Sequence, residues 1–125
     1  MQFAYWMILA AALLPYITIL SVKRAGADRF DNSRPRAWLD ARTGWQQRGD
    51  WAHRNHFETF PIFAAAVFVA ELTHGPAALI DGLAGLYIVL RILYTGLYLA
   101  DRPSLRSFVW SLGFLVTLAL FVLGA

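Results

Sequence analysis

The sequence predicts an all-α integral membrane protein, a single domain built as a four-transmembrane-helix bundle. Hydrophobic residues make up 58% of the 125-residue chain, well above the ~45–50% of soluble domains. They concentrate in four stretches, Phe3 to Val22, Phe57 to Leu72, Ala77 to Ala100 and Phe108 to Ala125. Each is at or near the ~17–25 residues that a helix needs to cross hydrocarbon. Lysine and arginine are not spread evenly but gather in two of the connections between these stretches. Lipid offers the backbone no hydrogen bonds, so helices are the natural spanning structure. A soluble bundle of four such apolar helices would leave too little polar surface.

Helix one is expected over about residues 2–22, with Pro15 as a place to kink. Its positive residues, Lys23 and Arg24, follow the apolar run rather than precede it. That is the pattern of a retained anchor, not of a cleaved signal peptide. The loop that follows is polar and punctuated by Asn, Ser, Pro and Gly. Within it RAWLDARTGW reads as a short interfacial helix, with Trp38 and Trp45 as amphipathic anchors. Helix two is expected over about 50–73, and it reaches spanning length only by including a polar head that starts near Trp51. Pro61 removes one of its hydrogen bonds and predicts a bend. HGP at 74–76 reads as a tight turn. Helix three is expected over about 77–100, DRPSLR as a turn, and helix four over about 107–125.

Orientation follows from the basic residues. The first connection carries Lys23, Arg24, Arg29, Arg34, Arg36, Arg42 and Arg48, and the third carries Arg102 and Arg106. The second connection, from Thr73 to Pro76, carries none. Positive loops stay in the cytoplasm, which predicts that both termini face away from it. The net charge of +3 therefore reports topology and attraction to anionic headgroups. It points to no nucleic-acid partner, because there is no basic domain to dock on a duplex. Cysteine is absent, which excludes disulfides, thiolate metal sites and a nucleophilic thiol of the chain's own.

Ionisable residues in two of the helices carry the functional signal. At 100° per residue, Arg48, Trp51, Asn55, Glu58 and Ile62 fall within about 80° of one another, and Arg54 flanks Glu58 at about 40°. In helix three, Tyr87, Arg91, Tyr94 and Tyr98 fall within about 60°. An arginine facing lipid in mid-helix costs ~2.5–3.5 kcal/mol or more, so Arg91 is expected to face protein or water and to meet an anion. At 1.5 Å per residue, Glu58 lies about 12 Å inside the cytoplasmic boundary and Arg91 about 15 Å, which makes them partners in depth. Two polar stripes at equal depth on antiparallel neighbours make a polar cavity open to the cytoplasm, with Arg102 and Arg106 at its rim. Glu58 and Arg91 alone could be no more than a structural ion pair. The convergence of Asn55, Tyr94, Tyr98 and Arg106 favours a binding site. His53 and His56 have a metal-like spacing but lack a third ligand and lie off the site face, so no metal is expected. Glu71 and Asp81 are expected to face headgroup water at the outer turn, and Thr95, Gly96 and Gly113 to serve close helix packing.

At AHRN-x-x-E-T-x-P the sequence resembles the MAPEG family, the membrane-associated proteins in eicosanoid and glutathione metabolism. The resemblance spans essentially the whole chain. Ala52, Asn55, Glu58 and Pro61 supply the second-helix motif, and Arg91, Tyr94, Tyr98 and Arg106 supply the third-helix motif and the arginine that follows it. The resemblance implies a homotrimer that binds glutathione between subunits near the cytoplasmic face and brings it to a lipophilic substrate arriving from the bilayer. It implies that Arg106 stabilises the glutathione thiolate, with Ser107 as a second hydrogen-bond donor to the sulfur. Glu58 would take the ligand's amino group, Asn55, Tyr94 and Tyr98 its amides, and Arg91 would belong to the same binding stripe. Arg54 would take a carboxylate, as would Lys23 or Arg24 from across the subunit interface. The chain departs from the family at Trp51, where an arginine is common; Arg48, one turn earlier, is the candidate replacement. Trp110 falls near a position where some members have tyrosine. The family also holds members that bind lipid without chemistry, so a non-catalytic lipid-binding or scaffold role stands as the alternative. A small transporter is disfavoured, because no ionisable path continues to the outer side.

Overall fold

The computed structural model describes residues 1–26 and 28–123 of the chain. Gly124 and Ala125, the end of the fourth expected helix, lie outside the described residues. Five helices follow in order: α1 (Phe3–Arg24), α2 (Pro35–Asp40), α3 (Gly44–Leu72), α4 (Ala77–Leu99) and α5 (Pro103–Leu123). Helices α3 and α4 form the central pair. Helix α1 packs on one side of this pair and α5 on the other, and α1 and α5 do not touch among the described residues. Small and medium side chains fill the centre, with Ala52, Phe63, Ala66, Val67, Ala70, Ile80, Ala84 and Leu120 all fully buried. The Phe63 ring stacks on Tyr87 at 3.8 Å between centroids, joining the two central helices halfway along.

Helices α1, α4 and α5 are each long and apolar enough to cross a membrane. Helix α3 is the longest, at 29 residues, but it does not reach that apolar level because its first half carries the charges. It begins at Gly44 rather than near residue 50. The polar residues 44–49 continue the helix because their backbone bonds are satisfied along it whether or not lipid surrounds them. Gly44, at φ +62°, makes the turn into it. The Gln46 amide donates to the carbonyls of Val22 and Ala25 and so ties α3 to the end of α1. Gly49 lets α3 approach α1 closely, since a Cβ there would run into the Val22 side chain.

Other boundaries move for similar reasons. Helix α1 continues to Arg24, and neither Pro15 nor Pro61 ends its helix. Helix α5 starts at Pro103, four residues before the expected 107. Proline is well placed at the first helical position, where no N–H is needed. Only residues 100–102 turn the chain, with Asp101 in the left-handed region at φ 56°. Arg106 therefore lies in a helix, its N–H bonded to the Arg102 carbonyl at 2.9 Å. The interfacial helix is shorter than expected, and Trp38 is no surface anchor. It is buried with Ile19, Val22 and Leu39, its ring edge meets Phe30, and its Nε1 donates to the Arg29 carbonyl at 3.0 Å. Ahead of α2, Ser33 donates to Asp31 through its hydroxyl at 2.6 Å and its N–H at 2.9 Å. These bonds hold the Asp31 carboxyl below the usual carboxylate range. At the opposite end of the bundle Asp81 is not simply solvated: its Oδ1 accepts the Ala4 N–H at 2.9 Å, capping α1 from another helix.

Candidate functional site

The central pair carries a charge that its own carboxylates do not neutralise. Arg91 is 3% exposed, yet no carboxylate of the described residues lies within ion-pair distance of it. Its Nε and Nη2 donate to His56 Nδ1 at 3.3 and 3.0 Å, and Nη2 also donates to Asn55 Oδ1 at 3.0 Å. The guanidinium lies 4.3 Å from the centre of the Tyr94 ring, a favourable cation–π placement. Glu58 stands one bond further out, accepting from Asn55 Nδ2 at 2.9 Å. The direct Glu58–Arg91 ion pair expected from equal depth is therefore replaced by a relay through Asn55. Glu58 itself is exposed on the protomer surface.

Beside this group, α4 and α5 enclose a cleft of about 270 Å³ lined by Tyr94, Tyr98, Arg106, Ser107, Trp110 and Ser111. Because α5 starts early, Arg106 and Trp110 fall one turn apart on one face, and Ser107 and Ser111 fall one turn apart beside them. The Arg106 guanidinium sits 4.3 Å over the Tyr98 ring, and Tyr98 meets Tyr94 edge-on at 5.6 Å. A smaller space of about 20 Å³, room for about one water, lies deeper, and Arg91, Tyr87, Thr59, Tyr94 and Trp110 are among its lining residues. Arg91, Tyr94, Tyr98, Arg106 and Ser107 thus converge on one region, with Asn55 and Glu58 joined to it through the Arg91–Asn55–Glu58 chain. The region presents two aromatic rings, three hydroxyls and two guanidinium groups.

Three of the expected binding residues, Arg48, Arg54 and Lys23, are engaged elsewhere within the protomer, and a fourth, Arg24, lies away from the cleft. Arg48 donates from Nε and Nη2 to the Leu99 carbonyl at 3.3 and 3.1 Å, capping the end of α4. Arg54 holds Asp40 of α2 at 2.8 Å and Asp50 at 2.9 Å. Lys23 lies over the Phe30 ring at 4.5 Å. Arg24 is exposed in the last turn of α1. Trp51, in the place of the common family arginine, packs toward Tyr98 at 6.5 Å between ring centroids.

Sequence reasoning missed His56. It is 2% exposed, and its Nε2 lies 2.9 Å from Thr95 Oγ1, whose hydroxyl donates to the Arg91 carbonyl at 2.9 Å. Thr95 is thus a polar partner rather than a packing contact. A Cβ on Gly96 would meet nothing within 4 Å, and one on Gly113 only the Tyr87 ring at an ordinary 3.9 Å, whereas one on Gly49 would overlap the Val22 side chain. The missed signal was a second polar residue adjacent to Asn55, pointing off the polar stripe toward a neighbouring helix.

An apolar helical bundle with three helices long and apolar enough to cross a bilayer defines an integral membrane protein, and its buried arginine beside an aromatic, cationic cleft marks the candidate site. The chain matches the family model of the MAPEG family over residues 3–125, essentially its whole length, and belongs to that family. No curated protein and no solved structure gives a significant match.

Proposed function

We propose that the protein is a membrane-bound, glutathione-dependent transferase or peroxidase that acts on lipophilic electrophiles through an activated glutathione thiolate. The observation that carries this reading is Arg91, a buried cation that meets only neutral partners next to a cleft that opens at a second arginine. Such a charge is costly in the membrane unless an anion completes it, and glutathione brings two carboxylates. Arg91 takes one of them. Glu58 takes the ammonium group, and Asn55 and the Tyr94 and Tyr98 hydroxyls take the amides. Arg106 lies beside the sulfur and lowers the thiol pKa by favouring the charged form, and the Ser107 hydroxyl donates to the same sulfur. In conjugation the thiolate lone pair forms the new C–S bond while the bond from carbon to the leaving group breaks and the leaving group departs with its electron pair. The electrophile enters from the bilayer.

The working unit in this reading is a homotrimer spanning the membrane four times per protomer, with both termini away from the cytoplasm and the site opening toward it. Two observations support it. The cleft of about 270 Å³ falls just below the ~300–1,000 Å³ typical of ligand pockets, so a neighbouring subunit would complete it. Glu58 is exposed at a depth where a lone protomer would present it to lipid. Across that interface a neighbour's Lys23 or Arg24 takes the second carboxylate, and Arg48 and Arg54 stand as further candidates once their present partners release them.

The test is glutathione calorimetry on the detergent-purified protein, with thiolate absorbance recorded. Arg91→Met is expected to weaken binding at least about tenfold, the order of a lost charge-assisted hydrogen bond. Arg106→Ala is expected to lose the thiolate signal. A folded wild-type protein that binds no glutathione would sink the proposal. The second reading, a non-catalytic lipid-binding member, is favoured by Trp51 and by an apolar groove of about 340 Å³ between α1 and α4. It predicts co-purifying lipid and no thiolate.

A further inference from the structure

The hydrogen bonds around Arg91 fix a proton position that the geometry alone determines. Arginine stays protonated and its nitrogens can only donate. His56 Nδ1 receives two such contacts, from Nε at 3.3 Å and Nη2 at 3.0 Å, so Nδ1 must present a lone pair. The proton of the neutral ring then sits on Nε2 and is donated to Thr95 Oγ1 at 2.9 Å. The Thr95 hydroxyl, accepting there, spends its own proton on the Arg91 carbonyl at 2.9 Å. The circuit closes on the residue where it began, and each of these donors meets an acceptor. It also leaves one edge over: Nη1 of Arg91 makes no hydrogen bond to the described residues and is not among the buried polar atoms without a partner, so it faces open space rather than packed protein.

We infer that His56 is a positioning residue: as a neutral Nε2–H imidazole it locks the Arg91 guanidinium in one orientation and keeps the Nη1 edge open for an anionic ligand. The benefit is pre-organisation. A long guanidinium free to rotate would have to be ordered at the moment of binding, and each immobilised side chain costs affinity. Asn55 cannot do this alone, because it grips only Nη2 and is shared with Glu58. His56 grips Nε as well, which fixes the plane of the fork. Protonating His56 would remove the acceptor and set a second positive charge against Arg91. The groups recorded against the ring are His53 on α3 and Arg91, Tyr94 and Thr95 on α4; Thr95 accepts from Nε2–H in either protonation state, and none of the others accepts a hydrogen bond at Nδ1.

The role in ligand binding rests on the glutathione reading; the proton position does not, and the experiment separates them. The first arm uses no ligand: 15N NMR of the full chain labelled at histidine, in detergent at neutral pH, with His56→Asn identifying the signals. Wild-type His56 is expected wholly as the Nε2–H form, and Arg91→Met is expected to release it into a mixture. An imidazolium, an Nδ1–H form, or an unchanged spectrum in Arg91→Met overturns the inference whether or not glutathione binds. The second arm measures glutathione affinity. His56→Asn keeps an oxygen acceptor near the Nδ1 position and is expected to bind within about threefold of wild type. His56→Gln places its amide near Thr95 instead, and it is expected to lose about tenfold, the order of a hydrogen bond to a charged group. Equal affinities for the two variants would overturn the positioning role. Absence of wild-type binding would overturn the glutathione reading and this role with it, leaving the proton position to the first arm.

Discussion

Arg91, Asn55 and Glu58 form a chain in which charge and hydrogen bonding are separable, because Asn55 bonds the arginine with its oxygen and the glutamate with its nitrogen. Glu58→Gln keeps an acceptor for Asn55 while removing the negative charge. The arginine's geometry is therefore expected to survive, and only the attraction for a ligand ammonium group is expected to go. Calorimetry should show glutathione weakened about tenfold and an analogue lacking the amino group altered by less than about threefold, given ~1.5–3 kcal/mol for a charge-assisted hydrogen bond. Equal losses for both ligands would mean that Glu58 serves only to hold Asn55. At this scale the polar stripes were legible, since 100° per residue groups Asn55 with Glu58 and Arg91 with Tyr94 and Tyr98 without any knowledge of the fold. His56 was not. Angular arithmetic tells which residues share a face of one helix, but not which face meets the neighbouring helix. Nor does equal depth settle direct contact: Glu58 and Arg91 match in depth, yet Asn55 stands between them.

Helix α3 is where charge, close packing and spanning length meet. Its first half pairs Arg54 with Asp40 and Asp50 and lays Gly49 against Val22 of α1, with Leu99 of α4 also near the missing Cβ. Gly49 is a point of contact among three helices, all near the end where Lys23 and Arg24 close α1. Gly49→Ala is expected to destabilise the protein by about 1–3 kcal/mol through overpacking, read as a lower unfolding temperature in detergent. Trimming the opposing side chain in Val22→Ala should restore part of that loss in the double variant. Strictly additive losses would show that the contact is not what limits the site. The all-helical, membrane-embedded character was readable from the hydropathy, and the ends of the helices were not. A polar sequence beyond the apolar core can continue a helix, as residues 44–49 do. A proline that looks like the end of a turn can be the first residue of the next helix, as Pro103 is. The early start of α5 matters to the site, because it converts Arg106 from a loop residue into a side chain fixed over Tyr98.

On the scale of the whole molecule, the bundle has two unlike ends. One carries Lys23, Arg24, Arg29, Arg34, Arg36, Arg42, Arg48, Arg102 and Arg106; the other has the connection between α3 and α4, with no lysine or arginine from Thr73 to Pro76. The site residues Tyr98, Arg106 and Ser107 lie toward the basic end, within about two turns of the residue 100–102 connection. Membrane orientation therefore decides from which compartment the proposed ligand would enter, and the positive-inside rule predicts the cytoplasm. The chain has no cysteine of its own, so single introduced thiols report orientation without background. Ser33→Cys lies in the basic connection, where the serine is exposed. Thr73→Cys lies in the opposite connection and is also exposed, its loss costing only local hydroxyl contacts to the Val69 and Ala70 carbonyls. In right-side-out vesicles a membrane-impermeant maleimide is expected to label Thr73→Cys and spare Ser33→Cys, and in inverted vesicles the pattern should reverse. Labelling of Ser33→Cys from the outside would turn the bundle over and deliver the cleft to the compartment poor in reduced glutathione. The site chemistry would then need a different anion, and the Arg91 edge would have to be explained by that ligand instead.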